Sequence, residues 1–119
     1  MPVIITEELQ NHVKKVKFEW VSDADGDAEG TTNVELTGDL VGFATLPAAG
    51  DDQPTNEYDI TIIDSDDIDV LFGKGGDLSN TTKAYAKSTD LGAVVNSKLK
   101  IIVENAGNTK KGTAILFIK

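Results

Sequence analysis

KVKFEWV, residues 15–21, sets Val16, Phe18 and Trp20 against Lys15, Lys17 and Glu19 in strict alternation. A period of two sends successive side chains to opposite faces, so this stretch predicts a strand with one apolar and one wet face. Working outward, Val34 and Leu36 alternate with Asn33 and Glu35, and Gly38-Asp39 makes a break. Leu40 to Leu46 is a mostly apolar run closed by Pro47, which cannot donate to a ladder and suits a strand end. Tyr58, Ile60 and Ile62 give a fourth strand, and Ile68, Val70 and Phe72 a short fifth. Thr81 to Lys87 reads as an edge strand bearing Tyr85. Leu99, Ile101 and Val103, then Thr113 to Ile118, read as two arms of a hairpin turned by NAGNTKKG, residues 105–112.

Between these runs lie polar segments rich in turn formers: SDADGDAEGTT, AAGDDQPTN, DSDD and GKGGDLSN. No window of helical length carries an i, i+3, i+4 apolar stripe; only the first dozen residues and Asp90 to Val95 could hold a helical turn. Short strands separated by polar turns predict an all-β chain, a single β-sandwich or jelly-roll-like domain of about seven or eight antiparallel strands. That domain is expected over residues 12–119, with residues 1–11 as an N-terminal arm, apolar then acidic, able to lie on a neighbour.

The composition narrows the chemistry. At 119 residues, with 39% hydrophobic and 26% charged residues, one core suffices without a metal or disulfide staple. The chain has no cysteine, no arginine and one histidine, His12, so the side chains that most often run active sites are nearly missing. We therefore expect no enzyme activity and no cofactor. No apolar run approaches the ~20 residues of a membrane-spanning helix. Val3-Ile4-Ile5, followed at once by Glu7 and Glu8, is too short for the apolar core of a signal peptide.

Charge is unevenly distributed. The net charge is −9, and 14 of the 20 acidic residues fall between Ser22 and Val70, where there is no lysine. All 11 lysines lie in the flanks, which net +5. An acidic surface repels phosphate backbones and anionic lipid, so neither nucleic acid nor membrane is expected as a partner. The segregation itself has two readings, a solvated acidic face or complementary poles that order neighbouring subunits.

Asp23, Asp25 and Asp27 are the candidate calcium ligands, because carboxylates at alternate positions of a tight loop can converge on one ion. The pattern departs from an EF-hand: glycine precedes the third aspartate, and Val34 holds the twelfth position where a glutamate belongs. Asp64, Asp66, Asp67 and Asp69 form a second acidic cluster. The glycines around Lys74 lack the spacing and helix of a phosphate loop. Trp20, in phase with Phe18, reads as core, whereas Tyr85 could equally be a surface aromatic.

Three segments in order carry a resemblance. KFEWVSDADGDAEGTTNVELTGDL, NEYDITIIDSDDIDVLFGKGGDLSN and KLKIIVENAGNTKKGTAILFIK resemble the aromatic strand with small-residue turn, the central YDIT stretch and the closing NAGN segment of small structural proteins of tailed-bacteriophage virions. The likeness spans roughly residues 14–119, and the chain departs from the pattern in its more acidic first turn and at Asp67-Ile68, where a glycine turn is usual. The resemblance implies a virion component without catalytic residues, of the capsid decoration (cement) type. On that reading it sits on the capsid exterior, assembled in the host cytoplasm, with the major capsid protein as partner and self-association as a homotrimer. A neck, tail or fibre-base protein, and a calcium- or glycan-binding β-sandwich module, are the alternatives.

Overall fold

The structure, a computed structural model, describes residues 3–119. Nine strands fill it: β1 (Val3–Glu8), β2 (Lys14–Val21), β3 (Ala28–Thr31), β4 (Leu36–Pro47), β5 (Asp59–Ile63), β6 (Ala84–Lys87), β7 (Ala93–Ser97), β8 (Lys100–Glu104) and β9 (Lys111–Ile118). Two single-turn 3-10 segments, Gly50–Asp52 and Ser88–Asp90, are its helical content among the described residues. A large antiparallel sheet runs β1-β2-β9-β4-β6, with β7 pairing the first part of β4, and a small sheet runs β3-β8-β5. The fold is a β-sandwich, as the alternation predicts.

The core forms where the two inner faces meet. Val16, Phe18 and Trp20 of β2, Leu40 and Phe43 of β4, and Ala114, Leu116 and Ile118 of β9 supply the large-sheet side. Ile60, Ile62, Ile101 and Val103 answer from the small sheet, with Leu99 just ahead of β8. The Trp20 indole lies 5.6 Å from the Tyr58 ring in a tilted pair. It also leans on Gly112, where any Cβ would collide with the ring, so glycine there is a packing requirement.

The closing segment differs from its expected form. β8 and β9 do not form a hairpin: β8 pairs with β3 and β5, while β9 pairs with β2 and β4. Residues 105–110 carry the chain from one sheet to the other, with Asn105, Gly107 and Thr109 all at positive φ. The alternation of each strand is as expected, but it fits a sheet-to-sheet crossover as well as a fold-back, because both bury every second residue.

Other boundaries also move. The loop read over residues 22–32 contains β3, whose four residues pair with β8. The expected fifth strand is mostly turn: only Asp69 bridges, to Ile63, while Val70 and Leu71 are buried and Phe72 is exposed at φ 48°. Val34 lies just outside β4, which joins Leu36 and the Leu40–Leu46 run into one strand with an irregular register between Leu40 and Gly42. The Asp90–Val95 segment enters β7 after the short 3-10 turn.

Of the segment set apart as an arm, residues 1–2 lie outside the described residues. The rest holds β1, which pairs with β2 from Val3↔Trp20 to Glu8↔Lys15. Val3 and Ile5 turn toward the core, and Val3 packs so closely on Gly30 of β3 that a Cβ there would come within 2.7 Å. This contact draws the two sheets together along one edge.

Candidate functional site

The broadest built surface is the outward face of the large sheet. Its register sets three rows across the strands: Ile4, Glu19, Thr113 and Leu46; then Thr6, Lys17, Ile115, Ala44 and Tyr85; then Glu8, Lys15, Phe117, Gly42 and Lys87. Lys111, next to Val21, extends the face at one end. The middle is apolar. Phe117 lies over Gly42, where an added Cβ would come within 3.2 Å of the ring, and Tyr85 stands 77% exposed beside them. Lysines ring this stripe: four, against the two glutamates Glu8 and Glu19.

β9 could have announced this. Its outward residues Ile115 and Phe117 are as apolar as its inward ones, and in the fold both are half-buried on the outer face. At the Ile4–Leu46 end of the face a groove of about 380 Å³ is lined by Ile4, Glu19, Val21, Leu46, Lys111 and Thr113.

Acidity collects on the other side of the sandwich. Outward on the small sheet stand Glu29, Asp59 and Glu104 with Lys100, whose Nζ pairs with Glu29 at 2.7 Å. A tight aspartate turn juts from each end of this sheet. In the first, Asp23 Oδ1 accepts the backbone N–H groups of Asp25 (2.9 Å) and Asp27 (3.0 Å). In the second, Asp64 Oδ1 accepts those of Asp66 (2.9 Å) and Ile68 (3.0 Å).

The candidate calcium ligands therefore do not converge. Asp23 is folded back onto its own loop, and the N–H of Asp27 foremost holds its carboxyl below the usual carboxylate range. Among the described residues no group of three or more histidine, aspartate or glutamate side chains is placed to hold a metal ion. In the second cluster Asp69 is spent the same way, accepting from Leu71 at 3.0 Å and Gly73 at 2.9 Å. The acidic stretch is in part architectural: aspartates replace the strand partners that tight turns lack.

The remaining candidates separate. Trp20 is 1% exposed and belongs to the core, so it offers no stacking platform, whereas Tyr85 is at the surface. His12 is exposed in the β1–β2 connection. The glycine-rich segment around Lys74 is a turn whose Gly75 carbonyl accepts the Ile60 N–H at 2.7 Å, and Gly75 has no room for a Cβ against the Ile60 carbonyl.

No family model matches the chain, and no curated protein matches it. Solved structures show distant likeness. A xylan-binding module from Roseburia intestinalis aligns with 99% of this chain and 86% of its own, at 15% identity and a TM-score of 0.46. A cupin domain from Bordetella pertussis covers 98% and 93%, at 14% identity and 0.41. An infectious bursal disease virus structure covers 98% of this chain and 32% of its own, at 13% identity and 0.36. Likeness at this level carries no argument about function.

Proposed function

We propose that this chain is a non-enzymatic structural component of a tailed-bacteriophage virion, a capsid decoration (cement) protein on the outer surface of the major capsid protein shell. The observation that supports the reading best is the outward face of the large sheet, an apolar stripe of Ile115, Phe117, Leu46 and Tyr85 ringed by lysines. A surface of this kind suits broad contact with another protein subunit, either the shell protein or a further copy of this chain. A cement protein works by such contact: it buries area, and repetition over a symmetric shell multiplies modest interfaces through avidity.

The ordered resemblance of three segments supplies the virion context. Two of them lock together here, since the Ser22 hydroxyl donates to the Gly107 carbonyl at 2.6 Å and accepts the Lys110 N–H at 2.8 Å.

The test is a reconstruction of particles made with and without this chain, alongside a stained gel of purified particles. Loss of protruding density at capsomer junctions, and copy numbers comparable to the major capsid protein, are the expected results. A copy number far below that of the shell protein, with the loss confined to a collar or fibre, would move the protein to the neck or tail. Stability unchanged by a chelator is expected as well, and a fall in melting temperature would revive a calcium-binding module.

A further inference from the structure

We infer that the Asp64–Ile68 turn of one copy docks on the lysine-ringed outer face of the large sheet of a second copy. The inference deepens the virion reading by naming the surfaces through which the chain self-associates.

The two surfaces match in chemistry. The face offers Lys15, Lys17 and Lys87 around Ile115 and Phe117, with Tyr85 projecting at its edge. Among the described residues, Lys15 and Lys87 have no carboxylate within ion-pair distance, and Lys17 has Glu19 at 3.7 Å. The turn presents the reverse arrangement, with Asp66 and Asp67 exposed beside Ile68, an aliphatic side chain left 51% open to solvent. An apolar knob between carboxylates thus meets an apolar stripe between ammonium groups. At such an interface the centre supplies affinity, while the charged rim steers approach and fixes orientation.

The turn also fixes where its carboxylates stand, because the Asp64 side chain and carbonyl hold its N–H groups. Asp67 sits at φ 63°, a region where glycine is at ease. The first turn places Gly26 at the equivalent position, φ 86°.

The lysine face and the acidic turn belong to opposite sheets, so one copy uses its face and its neighbour uses its turn. This is a heterologous contact, which closes into a ring or continues as a stack according to the rotation between copies.

Sedimentation of the full chain tests it. The wild type is expected to associate, with its dissociation constant rising about tenfold or more as salt screens the contact. Two variants, Lys17→Glu with Lys87→Glu on the face and Asp66→Lys with Ile68→Lys on the turn, should each be monomeric alone. Mixed, they should form a one-to-one complex, because each retains the half that the other lost. Tyr85→Glu is a second face variant with the same expected loss, and cooperative unfolding with midpoints near that of the wild type, all measured at a dilution where the wild type is monomeric, establishes that all three chains fold. A wild type that stays monomeric, a variant of either half that keeps the wild-type mass, or a mixture that fails to recombine overturns the inference. These measurements use the isolated chain, so their outcome is separate from whether the protein is found on a shell.

Discussion

The turns Asp23–Asp27 and Asp64–Ile68 share one hydrogen-bond plan and differ in what surrounds them. In both, the first aspartate caps two N–H groups with its side chain and a third with its carbonyl, and its own N–H reaches the carbonyl of the fifth residue. The first turn is pinned against the crossover: Ala106 donates to the Gly26 carbonyl at 3.0 Å, and Thr109 to the Asp23 carbonyl at 3.2 Å. The second is tied to its surroundings mainly by the Ser65–Ser97 hydroxyl contact of 2.7 Å. The same local solution serves as a structural joint in one place and as an exposed tip in the other. Context, not turn chemistry, decides which.

Substitution at the left-handed position of each turn should separate the two most. Gly26→Ala places a Cβ 2.8 Å from the Gly107 nitrogen, at φ 86°. We expect a loss of about 2–4 kcal/mol in denaturant unfolding, from left-handed strain and overpacking together; a loss under about 0.5 kcal/mol would show that the joint yields. Next in size is Ser22→Ala. Its fully buried hydroxyl links β2 to Gly107 and Lys110, and its removal should cost about 2 kcal/mol because buried partners are left unmatched.

The tip should respond in the opposite direction. Asp67→Gly relieves a non-glycine residue at φ 63° and should raise monomer stability by about 0.5 kcal/mol. The same change should weaken self-association, so a gain in melting temperature at dilutions where both chains are monomeric and a loss of oligomer at higher concentration are expected together. The smallest effect is electrostatic. With the Asp23 carboxyl held below its ordinary range in the folded state, its contribution is present above the unfolded value and fades as pH falls through the folded one. Asp23→Asn keeps an acceptor for the Asp25 and Asp27 N–H groups, and should flatten the acid limb of a stability-against-pH curve. An identical limb would assign that pH dependence to other carboxylates.

Much of this architecture was legible in the alternation. Val16, Phe18 and Trp20 face inward as read, Tyr58, Ile60 and Ile62 are buried, and Tyr85 lies on an edge strand. The partners of the last two strands were not legible. A strand's own residues tell which side is greasy, but β8 and β9 find neighbours dozens of residues away, and a crossover reads locally like a turn. The short β3 was hidden because Ala28 and Gly30 contribute backbone pairing with almost no apolar signal. For the outward face of the large sheet, the apolar residues of β9 were visible in TAILFI, but Gly42 and Ala44 acquire meaning only once β4 is known to lie alongside.

The place of β9 between β2 and β4 has a consequence for how the molecule assembles. The facing edges of β2 and β4 gain their native partner only when β9, a segment from far along the polypeptide, joins them. Sheets completed by such distant insertion form slowly and leave sticky intermediates, so this chain should be most vulnerable to misassembly just before that final strand is seated.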